Sequence, residues 1–198
     1  MSYYTGRVKD YFFNPRHAGE VEGADATGDA GSLACGAVLR LSLKIDAASR
    51  LVTLAKFKAT GCGFLIAAAD VLAEMVNGLT VGEAGQLSEG TLAATAIVEH
   101  LREEVPPDRM HCVTLCRDAL AAAVKHYRRT TLEEWTGEEA LICTCFGVSE
   151  KRIEHEIQTR SLRTIKQVTK ACNAGGGCHS CHPLIEDILE DYWRRGGL

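Results

Sequence analysis

The sequence predicts an α+β domain, an antiparallel sheet covered by helices, followed by a much smaller all-α domain. Three observations carry this prediction. Residues 38–46 alternate strictly, with Leu39, Leu41, Leu43 and Ile45 on one face and Arg40, Ser42 and Lys44 on the other, as a half-buried strand requires. Alanine-rich helical segments follow, of a kind that packs closely on a sheet. Beyond a polar stretch at 128–137 the pattern changes to short helices with few apolar positions.

Taken in order, the first strand is followed by the turn residues Ala47-Ala48-Ser49-Arg50 and a second alternating segment at 51–59, which returns beside it as an antiparallel partner. The number of strands before Val38 is not evident from the sequence. Thr60-Gly61-Cys62-Gly63 forms the next turn and leads into a helix over 64–76 with a buried apolar face. Gly78, Gly82 and Gly85 interrupt helical character before another helix at about 91–101, and Pro106-Pro107 terminates that region. A last helix, about 113–127, offers Leu115, Ala119, Ala122 and Ala123 as its apolar surface. The first domain is thus expected over 1–130, a linker over 131–140 and the second domain over 141–198. Helices are expected there at 149–159, near 164–171 and at 183–193, with Ser149 capping the first and Pro183 opening the last. A domain of about 60 residues buries little surface, so ligand binding would contribute to its folding.

Composition narrows the function classes. Of 198 residues, 46% are hydrophobic and 24% charged, which suits a folded protein rather than a disordered one. The formal charge of −4 provides no general field for nucleic acid or an acidic membrane surface, and the basic stretches at 126–129 and 194–195 read as solvated helix ends. No apolar run approaches the roughly 18 residues of a membrane span, and the first ten residues lack a signal-peptide core. A cytoplasmic location, with no membrane and no nucleic-acid partner, is the expectation. Nine cysteines in such a reducing compartment, and an odd number, argue against a disulfide framework and for bound metal.

The cysteines form two constellations. The tight one is Cys143-Thr-Cys145 with Cys178-His-Ser-Cys181. Gly175-Gly176-Gly177 before Cys178 permits positive backbone dihedrals and leaves amides free to donate toward the sulfurs. Four thiolates suit either structural zinc or an iron–sulfur cluster, and spacing alone leaves both open, together with unligated buried thiols. A thioredoxin-like Cys-x-x-Cys lacks its βαβ context here and leaves Cys143 and Cys145 without a role. The dispersed constellation is Cys35, Cys62 and Cys112, with His111 directly before the third. Cys62 and Cys112 fall near helix starts, where free amides favour a thiolate. From their wide separation alone, three structural cysteines and a packing histidine are the simpler account.

Cys-Thr-Cys-Phe-Gly-Val-Ser at 143–149 together with Ala-Gly-Gly-Gly-Cys-His-Ser-Cys-His-Pro at 174–183 resembles the central domain of NifU proteins, related to bacterioferritin-associated ferredoxin. The resemblance implies that Cys143, Cys145, Cys178 and Cys181 hold a permanent, redox-active [2Fe-2S] cluster in a small helical domain. Cys172 matches no ligand position and reads as a buried small side chain. The front of the chain is similar to the IscU/NifU scaffold domain. The similarity runs through Tyr11-Phe-Phe-Asn-Pro15, Ala34-Cys-Gly36, Thr60-Gly-Cys-Gly63 and Pro106-Pro-Asp-Arg-Met-His-Cys112. It implies that Cys35, Cys62 and Cys112 assemble a transient [2Fe-2S] or related cluster, with His111 as an additional or exchangeable ligand and Arg109 steering sulfur, iron or an acidic partner group. Zinc is a further occupant that this scaffold site allows.

One departure matters. The family usually has Cys-Gly-Asp at its first cysteine, whereas this chain has Cys35-Gly36-Ala37. A carboxylate supplies a hard oxygen ligand and labilises a thiolate site, and alanine does neither. Cys116, four residues after Cys112, is either a replacement ligand on the same helical face or a core residue beside Leu120 and Ala123.

By this resemblance the protein is expected to be an iron–sulfur cluster assembly scaffold and not an enzyme. It would receive sulfur from a cysteine desulfurase, pass clusters to apo iron–sulfur recipient proteins and form a homodimer, while the tail cluster carries electrons. The alternative is a ferredoxin-like electron-transfer or cluster-storage protein whose front metal site does not transfer, and a structural zinc protein is a third reading. The family commonly continues into a third domain with another Cys-x-x-Cys, and by this resemblance the chain is expected to lack that carrier site.

Overall fold

In the computed structural model, which describes residues 4, 6–47, 49–102, 105–133 and 140–196, the alternating segment at 38–46 becomes the centre of a three-stranded antiparallel sheet. The strands are β1 (Ala26–Ser32), β2 (Ala37–Ile45) and β3 (Val52–Thr60), in that order across the sheet. Leu41 stands between Gly28 and Phe57, and Leu43 between Ala26 and Ala55. Leu39, Leu41, Leu43 and Ile45 are buried as the alternation requires. Full burial of each leucine contributes about 1.5–3 kcal/mol. On the opposite face Arg40 pairs with Asp29 and Lys44 with Asp25, both exposed. Ser42 departs from this outward pattern. It is buried, accepts the Val21 N–H at 3.2 Å and donates to the Lys56 carbonyl at 3.3 Å.

Helices cover the sheet. In chain order they are α1 (Gly6–Phe13), α2 (Gly63–Val76), α3 (Val81–Leu87), α4 (Leu92–Leu101) and α5 (Met110–Glu133), with a 3-10 turn at Pro107–Arg109 before the last. The alanines of α2 lie in the core, and α2 buries Asp70 among them. That carboxylate accepts the main-chain N–H of Arg16 at 3.0 Å and of His17 at 2.7 Å, and stands 3.1 Å from His17 Nδ1. It thereby ties the segment after α1 to the core. Helix α3 forms where glycines suggested an interruption. Thr80 and Glu83 close a capping box at its start, and Gly82 and Gly85 are buried rather than solvent-exposed.

Gly28 explains how α5 meets the sheet. A Cβ at that position would lie 2.0 Å from the Ala119 carbonyl oxygen and 2.3 Å from the Ala123 nitrogen, so helix backbone rests directly on strand backbone. Helix α5 starts earlier than the sequence pattern implied, at Met110, and continues to Glu133 through the first residues of the expected linker. Of the rest of that linker, residues 134–139 lie outside the described residues.

The chain divides into two compact units, Met1–Asp46 with Leu51–Tyr127, and Ala47–Arg50 with Arg128–Leu198. In the second, the helices α6 (Glu150–Arg160), α7 (Ile165–Cys172) and α8 (His182–Arg194) follow a small antiparallel pair, β4 (Leu141–Cys143) and β5 (Val148–Ser149). The core consists of Ile153, Ile157, Val168, Ile185 and Leu189. Ser149 accepts the Arg152 N–H as N-cap of α6, and Pro183 occupies the first turn of α8, both as expected. Glu156 is buried on α6 and held by Arg152 and Arg160 one turn away on either side.

Candidate metal centres

In the first unit, three elements converge to bring the dispersed residues together. Cys35 lies in the turn between β1 and β2, Cys62 is the N-cap of α2, and His111 and Cys112 occupy the first turn of α5. Cys35 Sγ is 3.4 Å from His111 Nε2, His111 Nε2 is 3.5 Å from Cys112 Sγ, and Cys112 Sγ is 3.5 Å from Cys62 Sγ. The four donors form a chain of neighbours. Among the described residues no three Cys, His, Asp or Glu side chains close into a ready coordination shell. Cys35 is exposed and Cys112 fully buried, so the chain runs from the surface inward.

The electrostatics follow that gradient. A hydrogen bond from Ser32, the Ala37 main chain and the charge of Arg109 hold the Cys35 thiol below its ordinary value. Burial and the adjacent Cys62 push Cys112 up to about 12, overriding the thiolate preference expected near a helix start. A metal cation reverses that logic by displacing the proton. The charge of Arg109 adds to the lowering of Cys35 and opposes, without overcoming, the rise of Cys112. Ala37 begins β2 and is only 4% exposed, so the position where the family carries its carboxylate lies inside the fold. Cys116 is buried in the core of α5, and burial raises its thiol as well, an environment that supports packing over ligation.

Two contributors to this site left no mark on the sequence. The hydroxyl of Tyr4 accepts the Gly63 N–H at 2.8 Å, satisfying a free amide next to Cys62. Ser32 supports Cys35 from the end of β1. Tyr4 and Gly63 are too far apart in sequence for any local pattern to link them.

In the second unit, the short β4–β5 pair holds Cys143 and Cys145, while Cys178 and Cys181 come from the loop between α7 and α8 and the N-cap of α8. They meet as two pairs. Cys145 Sγ is 3.4 Å from Cys178 Sγ, and Cys181 is hydrogen-bonded to Cys143. Cys143 and Cys181 are buried, Cys178 is exposed and Cys145 intermediate. The glycine loop acts as expected. Gly175 has φ of 82°, and a Cβ on Gly177 would lie 3.0 Å from Cys145 Sγ. The Gly175 amide donates to Cys181 and the Cys178 amide to Cys145. The Ser180 hydroxyl, 2.9 Å from Cys178 Sγ, heads the hydrogen bonds that lower the Cys178 thiol to about 7. Burial acts the other way on Cys181, pushing it up to about 12. His182 Nε2 lies 2.8 Å from the Gly175 carbonyl oxygen and fixes the loop. Two close thiol pairs, amide donors and a Cβ-free gap fit a binuclear iron–sulfur group, which these four thiolates would hold. Cys172 stands apart, donating to the Val168 carbonyl one turn earlier as a core residue.

Residues 3–134 match the family model described as NifU-like N terminal domain, and residues 141–191 match the BFD-like [2Fe-2S] binding domain. The chain is 39% identical over 188 residues to the nitrogen fixation protein NifU of Azotobacter chroococcum mcd 1, covering 95% of this chain and 59% of that protein. It is 38% identical over 189 residues to the NifU of Azospirillum brasilense, covering 94% and 59%. With the iron–sulfur cluster assembly scaffold protein IscU of Haemophilus influenzae it shares 37% identity over 128 residues, 63% of this chain and 95% of that protein. It spans about three fifths of the length of these NifU relatives.

Proposed function

Because the chain belongs to the NifU-like N-terminal domain family and carries a BFD-like [2Fe-2S] binding domain behind it, we propose that it is an iron–sulfur cluster assembly scaffold rather than an enzyme. The observation that carries this reading is the line of donors Cys35, His111, Cys112 and Cys62, in which each atom lies 3.4–3.5 Å from the next. Iron and sulfur are the cargo of this site. A cysteine desulfurase donates sulfur as persulfide to one of the three thiols, the donor leaving as thiolate; two electrons from an external electron-transfer protein then split the S–S bond into thiolate and sulfide, and iron enters among the sulfurs with release of their protons. His111, between Cys35 and Cys112, supplies a nitrogen that can ligate or hold a proton. Apo iron–sulfur proteins would then take the cluster, and zinc is a competing occupant of the same soft donors.

Cys143, Cys145, Cys178 and Cys181 would hold the resident [2Fe-2S] group, which when bound supplies one-electron chemistry. Hydrogen bonds from Ser180 and from the amides of Gly175 and Cys178 offset the charge of its thiolates. A permanent tail cluster and a transient front one are the division of labour this reading implies, in a cytoplasmic homodimer with no membrane or nucleic-acid partner. No helix among the described residues is long and apolar enough to cross a membrane. Ala37 favours a second reading, a ferredoxin-like protein with a non-transferring front site, because the buried methyl replaces the carboxylate that would loosen the thiolates.

Anaerobic reconstitution with a desulfurase, followed by a transfer assay to an apo-ferredoxin, separates these readings. The Cys35/Cys62/Cys112→Ala triple variant should lose the labile signal and keep the other. A front cluster that forms and never transfers supports the second reading, and metal analysis showing zinc without a reducible chromophore defeats both.

A further inference from the structure

We propose that Arg128 is the counter-charge of the [2Fe-2S] group: its guanidinium, set beside Cys145 through the gap left by Gly177, favours the reduced state of the group held by the four tail cysteines. The proposal rests on the reading of those four thiols as [2Fe-2S] ligands. Three observations converge on this one side chain, which belongs to the same unit as the cysteines. Its guanidinium carbon lies 5.6 Å from the centroid of Phe146, the residue directly after Cys145. A Cβ on Gly177 would lie 3.3 Å from Arg128 Nη2 and 3.0 Å from Cys145 Sγ, so the cation and the sulfur face a common point that glycine leaves open. The Nε of Arg128 is buried and has no hydrogen-bond partner among the described residues.

A guanidinium remains charged at every working pH, and burying part of it without a partner is unfavourable unless an opposite charge compensates. Four thiolates on two ferric ions and two sulfides carry a net negative charge that meets this need. Reduction adds one electron, converts one ferric ion to ferrous and makes the group more negative by one charge, with no bond made or broken. A fixed nearby cation therefore stabilises the reduced form more than the oxidised one. In the unligated chain burial raises the Cys145 thiol, and the charge of Arg128 works against that rise. Arg128 is a positioning residue in this sense. It touches no transferred atom and acts through the thiolate of Cys145.

The test is an anaerobic spectroelectrochemical titration of the full chain, with dithionite as the electron donor, comparing wild type with Arg128→Gln, Arg128→Met, Arg128→Lys and the neighbouring Arg129→Gln. Removing the charge at Arg128 should disfavour reduction by about tenfold, a fall of about 59 mV in midpoint potential. The visible spectrum should be unchanged, Arg128→Lys should retain most of the potential, and Arg129→Gln should move it little. If Gln and Met fail to load iron while Lys loads it, the site requires the charge, which also supports the proposal. A midpoint in Arg128→Gln no lower than in Arg129→Gln overturns it. So does loss of loading in all three Arg128 variants, which would assign the side chain to packing on Phe146. A wild-type chain with no reducible chromophore would instead refute the ligand reading on which the proposal rests.

Discussion

Cys178 and Cys112 differ widely in thiol acidity, at about 7 and about 12, for opposite physical reasons. Exposure and the Ser180 hydroxyl favour the Cys178 thiolate, whereas burial and Cys62 disfavour that of Cys112. In the metal-free chain, alkylation mapped by mass spectrometry should therefore reach half its maximal rate at Cys178 near pH 7, with Cys112 nearly inert. Ser180→Ala removes the main stabiliser of the thiolate, so its profile should move to higher pH. An unmoved profile would show that the amide donors suffice. Asp70 makes a second residue-level case. Asp70→Ala leaves the part-buried main-chain N–H groups of Arg16 and His17 without their acceptor and is expected to cost about 1–3 kcal/mol in denaturant unfolding of the first unit. The convergence of the tail cysteines was legible because two tight spacings coincide with a glycine loop. Their pairing, Cys145 with Cys178 and Cys143 with Cys181, was not, since it depends on how the β4–β5 turn presents alternate residues.

Among the elements, strand β2 was legible because its alternation meets a one-sided core, and β3 for the same reason. Strand β1, Ala-Thr-Gly-Asp-Ala-Gly-Ser, shows no such signal. Its Gly28 is there because the backbone of α5 lies against it, a tertiary demand that outweighs β-propensity. Gly28→Ala should thus destabilise the first unit by about 3 kcal/mol, because the clash is with main-chain atoms that cannot rotate away. Gly31→Ala serves as the control: its Cβ would meet nothing closer than 3.5 Å, so an equal cost at both positions would point to strand entropy alone. Helix α3 escaped notice through the opposite error. Its glycines look like breakers, yet they are buried, and the Thr80–Glu83 capping box was the better guide.

At the scale of the whole molecule, the two units differ in what holds them together. The first has a sheet, five helices and a continuous apolar core, while the second has three short helices and a few large buried side chains. Chelation of iron under reducing conditions should accordingly lower amide-exchange protection in α6, α7 and α8 by tenfold or more and leave β1–β3 unchanged. Uniform loss across both units would show that the first also depends on its metal. Ala37→Asp tests the front site in the intact chain, where a restored carboxylate should speed transfer to an apo recipient severalfold.

Gly28 also sets a mechanical tolerance. Helix α5 bears His111 and Cys112 in its first turn, and at Ala119 and Ala123 it rests on strand backbone without a cushion of side chains. A layer of leucines would let such a helix roll or creep by a fraction of an ångström as rotamers adjust. Bare backbone on bare backbone permits no such play, so the glycine acts as an index stop that fixes the reach of both donors toward Cys35 and Cys62.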